Sequence, residues 1–198
     1  GEALGAAAGA LIDLAAGEQG PLAALERISV THGRLRVVDG KGRQVADYQD
    51  VAIAFERDAS SGGADLELSA NGRAGRFSAS ARAAATKATR KLDVEVRNLS
   101  GDDIALAAGF RERPLDMEVP LSGRATLTLT QEDRIAAVAG DFAVGAGRLR
   151  FADPAVEPFV IDGAAGGFHW NLQDRAIIVE PTRFVAGDTV LAVQGKMT

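Results

Sequence analysis

The chain has 198 residues, no cysteine, 46% hydrophobic and 25% charged residues, and a net charge of −5. That balance excludes a disordered segment, and the acidic excess disfavours a nucleic-acid partner, because neutralising phosphates needs gathered Lys and Arg. Without cysteine there are no disulfides, thiol nucleophiles or thiolate zinc sites.

No apolar run approaches the ~18 residues of a membrane span. The Ala-rich opening, Glu2 to Ala16, is broken by Gly5, Gly9 and Asp13 and lacks the basic stretch of a signal peptide. The chain begins without Met and stops at Lys196-Met197-Thr198, just after a strand-like run. An excised piece of a longer protein is the expectation.

Ala3, Leu4, Ala7, Ala8, Leu11, Ile12 and Ala15 recur at helical spacing, and Gly17 and Gly20 end the pattern. Pro21 suits the first turn of a short second helix, Leu22 to Arg27. The bland reading of the opening is a packing helix over one end of a sheet. From Ile28 the period changes to two, with alternating runs at 28–31, 34–39, 51–56, 65–70, 76–81 and 91–97. More follow at 123–130, 135–139, 141–144, 148–151, 167–172, 176–180, 182–185 and 189–194. Asn71-Gly72, Gly145-Ala146-Gly147, Gly187-Asp188 and similar turn sequences separate them. One helical insert is expected, capped by Ser100 or Asp102, running through Ile104 to Phe110 and closed by Pro114.

The sequence repeats internally. Ile28–Asp39 aligns without gaps on Phe142–Asp153, an offset of 114 residues (142 − 28), sharing apolar-x-Val-x-x-Gly-Arg-Leu-Arg-x-x-Asp. Gly33 and Gly147 are expected at turns with positive φ. The organisation predicted is a helical segment (1–27), a first β-module (28–83), connecting strands with the insert (84–141) and a second β-module (142–198). The fold class is mainly β: a twisted antiparallel meander curved into an open groove, with two related strand modules and one or two short helices.

Catalytic signals are nearly absent. His32 and His169 have no carboxylate or second His at ligand spacing, and read as a solvated turn residue and a strand residue facing away from Phe168 and Trp170. Asp102-Asp103 reads as helix capping and Glu132-Asp133 as a hairpin turn. The Gly-rich pieces lack the following Lys-Ser/Thr of a phosphate loop, and no serine has a nucleophile elbow. Neither an enzyme nor a metal or cofactor site is expected.

What remains is an apolar strand face. Its candidate lining residues are Val30, Leu35, Val37, Ile53, Phe55, Leu68, Phe77, Val94, Leu127, Leu129, Phe142, Val144, Leu149, Phe151, Phe168 and Trp170. Leu35, Val37, Leu149 and Phe151 are expected inward, with Arg34, Arg36, Arg148 and Arg150 on the solvent side. The alternation fits two arrangements. The face closes on itself as a β-sandwich core, or it stays open as a trough for an acyl chain.

Leu22–Asp39 resembles the opening module of AsmA-like proteins, Val119-Pro-Leu-Ser-Gly-Arg-Ala-Thr-Leu-Thr-Leu129 resembles that family's Pro-Leu-x-Gly strand, and Gly145–Leu149 followed by Pro154 is also similar. The resemblance implies a large, mostly periplasmic protein of the Gram-negative envelope. It would be held in the inner membrane by an N-terminal anchor missing here, with neighbouring β-modules in the same chain. It further implies a hydrophobic groove carrying phospholipid or another acyl lipid, with no catalytic residues. The rival expectation is a structural or interaction β-sandwich of an envelope scaffold or adhesin, without ligand.

Overall fold

The computed structural model describes residues 9–10, 12–13, 25–38, 40–58, 63–72, 74–86, 89–103, 115–132, 134–151, 155–171 and 176–197. Thirteen strands account for nearly all of them: β1 (Arg27–Val38), β2 (Gln44–Asp58), β3 (Gly63–Gly72), β4 (Gly75–Ala85), β5 (Arg90–Ser100), β6 (Leu115–Glu118), β7 (Pro120–Leu129), β8 (Ile135–Val144), β9 (Gly147–Phe151), β10 (Phe159–Ile161), β11 (Gly163–Asn171), β12 (Ala176–Ala186) and β13 (Thr189–Met197). Ten build one open antiparallel sheet in the order β1-β2-β3-β4-β5-β7-β8-β11-β12-β13, and three build a small sheet, β10-β9-β6. The large sheet is a meander: each strand pairs with the next in the chain, apart from the excursions through β6 and through β9 and β10. It is not closed into a barrel.

The repeat has a structural counterpart. β1-β2-β3-β4 and β8-β11-β12-β13 run in the same order, and the repeat residues, offset by 114, both pair antiparallel with the strand that follows, whose residues are offset by 110 or 111 (161 − 51, 164 − 53). Val30 faces Ile53, Gly33 faces Val51 and Leu35 faces Tyr48. In the second copy Val144 faces Ala164, Gly147 faces Ile161 and Leu149 faces Phe159. The first hairpin stays in one piece, whereas the second breaks at its middle and its tip, β9 with β10, joins β6.

The sequence reading divides some strands too finely. Ile28–Thr31 and Arg34–Val38 belong to one bulged strand, β1, not two strands around a turn, and Asp39 lies outside the described residues. The runs at 135–139 and 141–144 are also one strand, β8, and Pro181 does not end β12. It sits where the β12–β13 register shifts, the bulge position that proline tolerates inside a sheet. β6 and β10 are strands the sequence pattern does not announce. The expected positive φ at Gly33 and Gly147 is absent; His32 carries it instead, at 53°. Gly33 is required for close approach, since a Cβ there would lie 3.3 Å from the Val51 carbonyl oxygen. At Gly147 a Cβ would collide with the carbonyl of Glu118.

Residues 9–10 and 12–13 are helical, as are 101–103; the rest of the expected N-terminal helix and of the insert lies outside the described residues, as do 21–24 of the second helix. Leu25 and Glu26 are not helical, and Arg27 begins β1. Ser100 caps the helical turn. Its Oγ accepts a bond from the Asp103 N–H (3.0 Å) and donates to Asp103 Oδ2 (2.6 Å), while the Tyr48 hydroxyl donates to Oδ1 (2.8 Å). A buried carboxylate thus ties the turn to β2.

Among the described residues, three buried clusters pack the elements together. The first joins Ile12 of the N-terminal helical piece to Ala83, Leu92, Leu127 and Leu129. Arg90 fastens that piece, donating to the Gly9 carbonyl (2.8 Å) and to Asp13 (2.5 Å). The second gathers Ala46, Tyr48, Val51, Ala70 and Phe77, with the Tyr48 and Phe77 rings edge to face at 5.6 Å. The third packs Val119, Ile161 and Ala164 with Met117, Leu149, Leu121, Val144 and Phe184, seating the small sheet on the large one.

Candidate functional site

Because neighbouring strands pair in register, side chains on one face form rows that cross the sheet. One row runs through all ten strands: Ile28, Phe55, Leu66, Ala81, Val94, Ala125, Gly140, Phe168, Val179, Gly195. Beside it runs Val30, Ile53, Leu68, Ala79, Val96, Gly123, Phe142, Gly166. The rows are apolar throughout and lie about 7 Å apart, two residues along each strand. In the first row, Phe55 alone is buried; in the second, no residue is. The others are half-buried or exposed, Val30 and Leu66 each at 43%.

The flanking rows behave differently. On one side Ala83, Leu92 and Leu127 are buried in the Ile12 cluster, and Ala64, paired with Ala83, is buried as well. On the other, Ala70, Phe77 and Ala164 are buried with the two remaining clusters. The two open rows therefore form an apolar channel perpendicular to the strands, with one margin covered over β3 to β7 and opening towards β13, where Ile177 and Met197 are 37% and 60% exposed, and the other covered at β3, β4 and β11. Ten strands at about 4.8 Å spacing give it a length of roughly 43 Å.

The second margin arises where the strands bend. His32, Asp50 and Asn98 adopt left-handed backbone conformations (φ 53°, 50° and 57°), beside register shifts in β1, β2 and β5. Asn98 is held there by its Nδ2, which donates to the Arg76 carbonyl (2.8 Å), and by its N–H, which donates to Ser122 Oγ (2.9 Å). Along the same line β6 parts from β7, β8 from β9 and β10 from β11, so the strand tips turn onto the apolar side. Glycine sets the channel's relief. A Cβ on Gly140 would stand 2.7 Å from the Arg124 carbonyl oxygen and 3.0 Å from the Phe168 ring.

The sequence candidates divide accordingly. Val30, Ile53, Phe55, Leu68, Val94, Phe142 and Phe168 share the two channel rows. Trp170 and Val144 stand half-buried in the flanking rows. Phe77, Leu127 and Leu129 are corrected from lining to core: they are 7%, 9% and 0% exposed, because the strand tips and Ile12 cover them. Leu35 and Val37 lie on the β1 tip beyond the bend. Leu149 and Phe151 belong to the small sheet, and Leu149 packs beneath it. Val37 packs against a core cluster, whereas Leu35 and Phe151 are 43% and 45% exposed rather than inward. Arg34, Arg36, Arg148 and Arg150 are all exposed, as alternation requires. Ile12 was not among the lining candidates, although its helical period marked it as apolar-facing. Ile28 and Val179 carry the same two-residue alternation as the lining candidates.

The opposite face is a ladder of charges. Arg27, Glu56, Asp65, Arg82, Asp93, Thr126, Ala139 and His169 form one of its rows. Arg82 pairs with Asp65 and Arg124 with Asp141, both at 2.5 Å, and His169 Nδ1 lies 3.5 Å from Glu180. These hydrogen-bonded carboxylates push the Arg82 and Arg124 guanidinium pKa values up. Arg34, bonded to Asp47, lowers that carboxyl, and Arg76 with His32 lowers Asp50. Burial pushes Asp93 up, but bonds from Thr126 and Lys91 outweigh it and the net direction is down. A depression of about 640 Å³ on this face is lined by Asp65, Arg82, Asp93, Arg124, Asp141 and Glu180 among others. No group of three His, Asp or Glu among the described residues could hold a metal ion, and no helix among them is long and apolar enough to cross a membrane.

Comparison of the chain with protein-family models, with curated proteins and with solved structures finds no match.

Proposed function

We propose that this chain is a lipid-binding or lipid-conducting segment of an AsmA-like periplasmic protein, shielding acyl chains on the apolar face of its sheet between inner and outer membrane. One observation carries the reading: two adjacent apolar rows cross the sheet largely half-exposed, while in the rows beside them Ala64, Ala83, Leu92 and Leu127 on one side and Ala70, Phe77 and Ala164 on the other are buried. A folded chain that leaves such a strip open has a surface suited to an apolar ligand. Each methylene moved from water onto it is worth about 0.8 kcal/mol, so partial cover of an acyl chain is enough to hold it. No charged group stands in either row, and a uniform strip of Val, Leu, Ile, Ala and Phe lets a chain slide because no contact dominates. The channel's roughly 43 Å exceeds the ~30 Å hydrocarbon core of a bilayer, long enough for an extended acyl chain. The sequence resemblance supports the same reading.

Native mass spectrometry of the purified chain tests it. Co-purified phospholipid, or saturable uptake of a fluorescent fatty acid by the folded protein, is the expected result. A protein that carries no lipid and takes up neither fatty acid nor ANS would favour the ligand-free structural module.

A further inference from the structure

The two channel rows are not level. Along β7 the apolar face reads Leu121, Gly123, Ala125, Leu127, and along β4 it reads Phe77, Ala79, Ala81, Ala83. The small residues stand in the channel; Phe77, Leu121 and Leu127 stand outside it. Register sets these strands on either side of β5: Ala81 faces Val94, which faces Ala125, and Ala79 faces Val96, which faces Gly123. Side chains no longer than valine thus floor the channel over three adjacent strands. Large residues close both ends of that stretch. Leu66 and Leu68 of β3 face Ala81 and Ala79. At the other end Phe142 of β8 faces Gly123, and the Phe168 ring leans from β11 over Gly140, where a Cβ would lie 3.0 Å from its Cζ. Two phenyl groups therefore stand abreast over β8, one in each row. From β3 to β8 is four strand spacings, about 19 Å. Close approach explains Gly123, whose Cβ would stand 2.6 Å from the Asp141 carbonyl oxygen. It does not explain Ala79, Ala81 and Ala125, which are only half-buried.

We propose that Ala79, Ala81 and Ala125 determine specificity: they hollow a recess in which one acyl chain lies lengthwise across β4, β5 and β7, its ends against Leu66 and Leu68 and against Phe142 and Phe168. This rests on the lipid reading and gives the ligand a place and a size. The ~30 Å hydrocarbon core of a bilayer holds two chains end to end, about 15 Å each, so one chain fits between the walls and two in line do not. A methylene in the recess touches floor and walls, whereas elsewhere on the strip it touches the floor alone, and dispersion grows with the number of such contacts. The recess is the resting position of a chain that slides along the rest of the strip.

Titration of the whole chain with a fluorescent fatty acid tests it, using Ala79→Leu and Ala125→Leu, each checked by its melting curve. Leucine fills the floor and displaces about two methylenes of the chain. At about fourfold in affinity per methylene, binding weakens about tenfold or more, although the surface has become more apolar. Gly195→Leu is the control. It adds apolar surface to the same row outside the recess, where a Cβ meets nothing within 4 Å, and leaves affinity unchanged or tighter. If the folded leucine variants at 79 and 125 bind as well as wild type, or Gly195→Leu loses as much as they do, the recess is overturned and the lipid reading stands. If both variants unfold, the alanines are packed under cover and the recess is equally overturned. A wild-type chain that takes up no fatty acid overturns the lipid reading and the recess with it.

Discussion

Introducing a carboxylate at Phe77 or at Val94 separates a covered margin from an open channel. Phe77 is 7% exposed, its ring set against Tyr48 and lying beside Asp103, close enough that a Cβ on Gly72 would stand 3.0 Å from the ring and 3.3 Å from Asp103 Oδ2. Phe77→Asp forfeits about 3 kcal/mol of apolar burial. It also places an unpaired charge next to an existing buried carboxylate, a further several kcal/mol. Together these rival the roughly 5–15 kcal/mol that holds a domain of this size. Val94 occupies the ten-strand channel row and is half-buried. Val94→Asp loses roughly half of the ~1.5 kcal/mol a fully buried valine contributes, and its charge keeps its water. A change of about 1 kcal/mol lowers Tm by about 2–4 °C in a chain of this length. Circular dichroism melts should therefore show Phe77→Asp unfolded and Val94→Asp folded, and native mass spectra of Val94→Asp should show less bound lipid. If Val94→Asp unfolds as Phe77→Asp does, the channel rows are a closed core. If it stays folded and keeps its full complement of lipid, the lipid reading is refuted.

Ser100→Ala removes the cap of the 101–103 turn and one of the two hydroxyls bonded to Asp103, and should cost about 1–2 kcal/mol in urea denaturation. Tyr48→Phe removes the other and should cost about 1–3 kcal/mol, with the double variant departing from additivity because both hydroxyls serve one carboxylate. Gly140→Ala forces its new methyl against the Arg124 carbonyl and the Phe168 ring, and should destabilise by about 1–3 kcal/mol; a neutral result would show that the row relaxes. Asp47, Asp50, Asp93 and Glu132 are held below their ordinary values in the folded chain. Depressed carboxylates contribute stability that is complete above the ordinary carboxylate range and lost as pH falls through it, so urea midpoints should hold from neutrality to about pH 5 and decline below about pH 4.

How much of this was legible in the sequence follows from what a two-residue period can say. It tells which side of a strand a residue occupies, so the antiparallel meander, the exposed arginines at 34, 36, 148 and 150, and the shared order of the two repeat copies follow from local pattern and turn chemistry. It does not tell what lies over that side. Val94 and Leu127 alternate alike, yet Val94 stays half-buried at the margin of the Ile12 cluster while Leu127 is buried within it, brought there by a residue 115 positions away in the chain (127 − 12). Nor does it separate Gly33, kept for close approach to Val51, from a glycine kept for its backbone angles; His32 took the left-handed conformation instead. The detachment of β9 and β10 from a hairpin that stays whole in the first copy depends on β6, which supplies β9 with a different partner. Strand identity came from local spacing, because alternation and turns act over a few residues. Cover, and with it the channel, came from contacts between segments far apart in the chain, which only the folded arrangement brings together.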